Sequence, residues 1–133
     1  MNDDDIGGRL DEFTANAPGV THALVLSSDG LVLGTSSAVD ADQAEQLAAI
    51  ASGLLSLGHH GAELFDKGRC EQVILRLSRG YLLFVDITER AGLAVLTGHG
   101  ADLRTVAYEM TAFADRTAER IAPQARDEHR RPA

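Results

Sequence analysis

The sequence lacks tryptophan, has a single cysteine and contains only four phenylalanines and two tyrosines in 133 residues. Platforms that bind single-stranded nucleic acids stack bases on aromatic side chains, so this composition argues against one. Cys70 has no second cysteine with which to form an internal disulfide, which favours a reducing compartment.

Long hydrophobic runs and basic clusters are also missing. No apolar run reaches the length of a bilayer span, and the acidic N-terminus is unlike a secretory signal, so we expect a cytoplasmic protein without direct membrane insertion. The net charge is −8, and the ten residues from Gln124 to Ala133 contribute +1, which leaves −9 for the rest. Nucleic acid is therefore excluded as a partner, because its phosphates need clustered lysine and arginine.

Hydrophobic periodicity and turn residues predict one domain over residues 3–122 and a disordered tail over 123–133. Asp29-Gly30 predicts a type I′ turn, and Pro123 predicts the end of the last helix. The sheet is antiparallel and needs three amphipathic helices to cover it, which is an α+β architecture. The predicted helices are Asp3–Asn16, Asp40–Leu64 and Asp102–Ala122, and the predicted strands are Val20–Ser28, Leu31–Thr35, Glu71–Ser78, Tyr81–Thr88 and Gly92–Thr97.

The middle helix is unusual, because Gln46–Ala62 contains no formal charge. Its apolar residues cover an arc of roughly 200°, although a helix resting on one sheet needs little more than about 100°. Its opposite face is small and uncharged, with Ala49, Ser52, Gly53 and Ser56. Each of its three glycines costs about 1 kcal/mol relative to alanine.

One interpretation is an exposed helix that lacks charges by drift. The favoured one is that the helix buries a second side against another chain, most simply in a two-fold homodimer with the Glu71–Ser78 strand at the sheet edge. The predicted interface residues are Leu47, Ile50, Ala51, Gly53, Leu54, Leu57, Val73 and Leu75.

Convergent catalytic groups are hard to find. His59 and His60 point about 100° apart on a helix and cannot share a metal, and Cys70 has no evident base. Gly98 and Gly100 lack a nucleotide-binding context. The sequence therefore predicts no enzyme, no metal and no cofactor. Three arginines near predicted turns could reach a transferring phosphate, although solvated turn arginines are the favoured interpretation: Arg69, Arg79 and Arg90.

Five segments together resemble the Roadblock (dynein light chain roadblock-type) family, and more narrowly its actinobacterial members. They are ALVLSSDGLVLGTSS, DADQAEQLAAIASGLLSLG, QVILRLSRGYLLFVDI, GLAVLTG and ADLRTVAYEMTAFADR, and the resemblance covers about Ile6 to Ile121. It implies a five-stranded antiparallel sheet with helices on both faces, in the order α-β-β-α-β-β-β-α. It also implies dimers in which the second helix and the third strand meet their counterparts.

The resemblance further implies a scaffold or regulator of Ras-like GTPases, with a sensor-kinase-like membrane protein and a small accessory protein as further partners. A profilin-like sheet could instead enclose a small molecule, which leaves a sensory, ligand-binding domain as the alternative. The strands favour a filled interior, because most of their residues are apolar.

Overall fold

The computed structural model describes residues 3–130, with side chains described for residues 6–120. The elements of this part of the chain follow the predicted order. The helices are α1 (Asp3–Asn16), α2 (Ala41–Leu64) and α3 (Leu103–Arg130), and the strands are β1 (Val20–Ser27), β2 (Val32–Thr35), β3 (Val73–Leu77), β4 (Gly80–Thr88) and β5 (Ala91–Gly98).

Helix boundaries follow from local chemistry. Asp40 caps α2, because its side chain accepts a hydrogen bond of 2.8 Å from the Gln43 N–H, as a capping residue does. Gly19 follows α1 with a φ of +94°, and a Cβ at that position would lie 2.5 Å from the Ala101 Cβ. The position therefore requires glycine for two reasons: its positive φ, and the lack of space for a Cβ beside Ala101.

The five strands form one antiparallel sheet in the order β2-β1-β5-β4-β3. The register places Val25 opposite Leu93 and Leu83 opposite Val95 in the centre of the sheet. Successive side chains of a strand point to opposite faces. The sheet therefore has two apolar faces, and both need a helical layer.

The face under α1 and α3 holds the larger cluster, in which Leu10, Phe13, Met110 and Phe113 of the helices are buried. Phe13 and Phe113 pack edge to face with ring centroids 5.8 Å apart. The other face is covered by α2 through Ala44, Ala48, Ala51 and Leu55, which pack on strand residues such as Leu24 and Phe84.

Two local predictions were wrong. Gly30 has a φ of +88° but Asp29 does not share the positive φ of a type I′ turn. Instead the Gly30 N–H donates to the Ser27 carbonyl (2.9 Å), and the Ser27 N–H donates to the Leu31 carbonyl (2.8 Å). This is the pattern of a three-residue loop, and the Ser27 hydroxyl supports it by accepting from the Leu31 N–H.

The second error concerns α3, which continues through Pro123 to Arg130 instead of ending at Ala122. Proline removes one backbone hydrogen bond, but alanine, arginine and glutamate on either side of it favour helix. Residues 131–133 of the predicted tail lie outside the described residues. Within residues 3–130, no helix combines the length and apolar character needed to cross a membrane.

Candidate interface on the second helix and third strand

Helix α2 carries apolar residues in two separate directions. Its four buried residues face the sheet, whereas Ile50, Leu57 and Leu64 are exposed by 49%, 68% and 76%. These three belong to a row with alternating spacings of three and four residues, which is the repeat of a coiled-coil contact. We call this row the α2 seam: Leu47, Ile50, Leu54, Leu57, Gly61 and Leu64.

Strand β3 lies beside the α2 seam at one edge of the sheet. It pairs with β4 on one side, and no strand within residues 3–130 pairs with its other side. Val73 and Leu75 are partly buried against the cluster under α2, while Ile74 and Leu77 are 46% and 43% exposed. An exposed apolar edge strand presents unpaired backbone groups that another chain can bind.

An apolar groove of 230 Å³ lies between the first half of α2 and the uncovered part of the sheet. Leu47 and Ile50 line it from the helix, and Leu82 and Leu96 line it from the strands. The α2 seam, this groove and β3 are all defined by exposed or partly exposed apolar residues. They could accept apolar side chains from a second chain.

Most predicted interface residues lie on this surface or at its border. Leu47, Leu54, Val73 and Leu75 are partly buried, and Ile50, Gly53 and Leu57 are exposed. Ala51 is the exception, because it has no exposed surface and packs against the sheet. Its inclusion was wrong: the width of the apolar arc did not show which part of it faces the protein's own sheet.

Different contacts explain different small residues of α2. A Cβ on Gly30 in the β1–β2 turn would lie 3.6 Å from the Ser52 Cβ, so Ser52 accommodates that turn. A Cβ on Gly58 would lie 2.5 Å from the Cys70 sulfur, so Gly58 makes room for the α2–β3 loop. A Cβ on Gly53 or on Gly61 would meet nothing within 4 Å, so no contact in the described part of the chain requires glycine at these two positions.

The structure joins His59 to a residue that the sequence did not suggest. His59 Nε2 lies 2.7 Å from Asp86 Oδ2 on β4, and its Nδ1 accepts from the Cys70 N–H at 3.3 Å. This pattern assigns the proton to Nε2, which donates to Asp86. Both ring nitrogens are engaged, so neither is left to deprotonate a hydroxyl or thiol nucleophile. The signal in the sequence was an aspartate inside an apolar strand, 27 positions away.

The remaining candidate groups do not converge. In the described part of the chain, no three histidine, cysteine, aspartate or glutamate side chains are placed to hold a metal ion. His60 and His99 are exposed, and Cys70 is partly buried with its thiol 3.7 Å from the Gln72 carbonyl. Arg69 lies 3.4 Å from Asp86 Oδ2. Arg79 and Arg90 are exposed at the β3–β4 and β4–β5 turns.

The fold is a small α+β domain in which apolar residues of one helix and one edge strand are exposed. The chain belongs to the Roadblock/LC7 domain family, whose model matches residues 6–97, from α1 through β5. A comparison with curated proteins gives no match.

Solved structures give the same assignment. A Roadblock/LC7 domain from Streptomyces avermitilis is 32% identical, with a TM-score of 0.84 over 87% of this chain and 97% of that one. Myxococcus xanthus MglB is 14% identical, with a TM-score of 0.82 over 90% of this chain and 96% of that one. Profilin IB from Acanthamoeba castellanii is 17% identical, with a TM-score of 0.62 over 86% and 97%. The last two proteins are under 25% identical to this chain and share its fold.

Proposed function

We propose that this protein is a non-catalytic homodimeric module that binds and regulates a small Ras-like GTPase in the cytoplasm. The proposal includes the actinobacterial subgroup, which the 32% identity with the Streptomyces domain supports. The observation that carries it is the α2 seam, in which Ile50, Leu57 and Leu64 are exposed although the helix itself is packed on the sheet. A sensor-kinase-like membrane protein and a small accessory protein are the further partners proposed.

A second copy of the chain is the proposed cover for the α2 seam. Two-fold symmetry brings identical surfaces together, so one apolar row with heptad spacing meets its own counterpart. The free edge of β3 would pair with that of the partner subunit, which satisfies backbone groups on both strands. Large contiguous apolar patches are uncommon on the surfaces of monomers.

Light scattering after size exclusion tests the dimer, and we expect a mass of about twice 14.1 kDa. Leu57→Asp places a charge in the centre of the α2 seam and should give a monomer, because a buried unpaired charge is costly. Leu31→Asp is the matched control, since Leu31 is 63% exposed in the β1–β2 connection, outside the α2 seam. A dimeric Leu57→Asp protein, or an equal effect of both changes, contradicts the proposed interface.

Two further variants test the same interface, and they differ in whether they also disturb the fold of a single chain. Gly53→Arg introduces no clash within one chain, because nothing lies within 4 Å of a Cβ at Gly53, so a weaker dimer would reflect the interface. Leu54→Asp also disturbs the protein's own fold, since Leu54 packs against the cluster under α2. Thermal unfolding of each variant separates these two effects.

The GTPase assignment rests on membership of the Roadblock/LC7 domain family. A net charge of −9 outside the last ten residues favours a partner with a basic contact surface, so affinity should fall as salt rises. The test is binding of the dimer to Ras-like GTPases encoded nearby, in GDP and GTP forms, with Leu57→Asp and Leu31→Asp in parallel. Binding to none of them, or binding that is blind to the nucleotide, contradicts the assignment.

The proposal of a non-catalytic role also predicts how three arginine substitutions affect GTP hydrolysis. Arg69→Ala, Arg79→Ala and Arg90→Ala should each leave any stimulation of GTP hydrolysis largely intact, whereas loss of an arginine finger costs about 10³–10⁵ in rate. A thousandfold loss from one substitution, with the complex preserved, would overturn the non-catalytic mode.

A sensory, ligand-binding domain is the second candidate. Both faces of the sheet are filled by buried side chains, which argues against a ligand enclosed between the sheet and its helices. What favours this candidate is a cleft on the flank of α2 with an apolar base and a polar rim. Failure to bind any GTPase, together with binding of a small molecule in that cleft, would favour the sensory role.

A further inference from the structure

A cleft of 230 Å³ lies between α2, the β1–β2 turn and the β4–β5 turn, and we call it the α2 cleft. Its buried base is apolar and includes Leu26, Leu55 and Ala91. Its rim is polar, with the hydroxyl of Ser56 and the carboxylates of Asp86 and Glu89. Small-molecule sites combine apolar walls with a few placed polar groups in this way.

The α2 cleft is separate from the proposed dimer interface. Ser52 and His59 line it, and each lies about 200° around the helix from Ile50 or Leu57 of the α2 seam, at 100° per residue. A dimer formed through the α2 seam therefore leaves the α2 cleft open, so the two surfaces can be tested independently.

Hydrogen bonds between different elements hold the walls of the α2 cleft. The Ser52 hydroxyl donates to the Ser28 carbonyl (3.0 Å), which ties α2 to the β1–β2 turn. The Ser28 N–H donates to the Arg90 carbonyl (2.9 Å), which ties that turn to the β4–β5 turn. His59 and Asp86 join α2 to β4. The α2 cleft is thus preformed, which lowers the entropic cost of binding.

The carboxylates at the rim of the α2 cleft can accept hydrogen bonds from a ligand. Both contacts of Asp86 go to Oδ2, from His59 at 2.7 Å and from Arg69 at 3.4 Å. The longer contact is weak for a charge-assisted bond. The Asp86 side chain is 21% exposed at the rim, and its Oδ1 can accept a hydrogen bond from a ligand. Glu89 adds a second carboxylate on the rim.

We propose that the α2 cleft binds an alkylammonium or alkylguanidinium group, carried by a free small molecule or by a lysine or arginine side chain of a partner. The cation would donate to Asp86 Oδ1 and Glu89, and its methylene groups would lie on Leu26 and Leu55. At about 30 Å³ per water-sized group, the volume admits about eight non-hydrogen atoms. That is the size of a short alkyl chain with one such head group.

The first experiment titrates the labelled full-length protein with butylguanidinium and butylammonium and follows backbone amide shifts by NMR. We expect shifts at Ser52, Ser56 and Asp86, with butyramide and butyrate at least tenfold weaker. Equal effects from the neutral or anionic compound, or no shift at saturating cation, would overturn the proposal.

Variants locate the site. Glu89→Gln leaves the His59–Asp86 hydrogen bond intact and should weaken cation binding by about tenfold, the effect of one charge-assisted hydrogen bond. Ser56→Leu should block the α2 cleft, and Glu45→Gln, on an exposed part of α2, is the matched control. Asp86→Asn should weaken binding at least as much as Glu89→Gln, provided that amide shifts far from the α2 cleft show an intact fold. Unchanged affinity in both Glu89→Gln and Ser56→Leu would contradict the assignment.

Competition identifies the source of the cation. If saturating butylguanidinium releases a bound partner protein from the wild-type complex but not from a Ser56→Leu complex, the group comes from the partner. If the cation occupies the α2 cleft while the partner stays bound, the natural ligand is a free small molecule. Either result supports the site, and the titration itself does not require that any GTPase binds.

Discussion

The face of the sheet under α1 and α3 is closed by large side chains, whereas the face under α2 is covered mainly by alanines. Leu10, Phe13, Met110 and Phe113 are all at most 3% exposed. On α2 the buried positions are three alanines and Leu55, and the large residues Ile50 and Leu57 lie outside. The first face is complete within one chain. On the second face, large apolar side chains of α2 stay exposed among the described residues.

The largest expected effect comes from a substitution in the core between the sheet and helices α1 and α3. Phe113→Ala should lower the free energy of unfolding by about 3–5 kcal/mol, because it removes a buried aromatic ring and leaves a cavity beside Phe13. Leu57→Ala removes a side chain that is 68% exposed in one chain and should act through the dimer alone. Denaturant unfolding at a high and a low protein concentration is the measurement.

Concentration separates the two cases. Stabilisation by a second subunit depends on protein concentration, so the effect of Leu57→Ala should vanish on dilution while that of Phe113→Ala persists. An effect of Leu57→Ala that is independent of concentration would show that α2 is completed within one chain.

The glycines of α2 should give smaller effects of opposite sign. Gly61→Ala should stabilise the diluted, monomeric protein by about 0.5–1 kcal/mol, because alanine is the better helix former and the site is open. Gly58→Ala should destabilise it, since the new Cβ would lie 2.5 Å from the Cys70 sulfur. Thermal unfolding measures both. Stabilisation by both alanines would mean that the α2–β3 loop does not pack tightly on the helix.

The smallest expected effect concerns two hydrogen bonds between Asp11 and Ser37, beside the face of the sheet under α1 and α3. Asp11 of α1 accepts hydrogen bonds of 2.7 Å from both the hydroxyl and the N–H of Ser37, and these bonds hold the pKa of its carboxyl below the ordinary value of 3.8. A lowered pKa in the folded state adds stability above the ordinary pKa, and this is lost as the pH falls through the folded pKa.

The measurement is the unfolding midpoint of Asp11→Asn relative to wild type, at neutral pH and in acid. The difference should be small, present at neutral pH and reduced in acid, because the carboxyl is largely exposed to solvent. Asp115→Asn, at an exposed position of α3, is the control. A difference that grows in acid would contradict the role of the Asp11–Ser37 tie.

The sequence by itself determined the order of the elements, the start of α2 and the apolar periods of the helices. Asp40 and Gln43 marked the start of α2, and the stripe through Val106, Met110 and Phe113 marked the buried face of α3. These features depend on residues within a few positions of one another, so local patterns are enough to read them. The excess width of the apolar arc on α2 was also visible, and it correctly indicated more apolar surface than one sheet can cover.

The tertiary structure alone decided which part of that arc is free and which distant residues meet. Ala51 and Ile50 are neighbours in sequence, but the packing direction of α2 buries one and exposes the other. His59 meets Asp86 because β4 lies beneath the second half of α2, and Gly58 faces Cys70 because the following loop folds back on the helix. The hydrophobic period of a helix gives the width of its apolar face but not which part of that face packs on the sheet. Contacts between elements far apart in the chain decide that part.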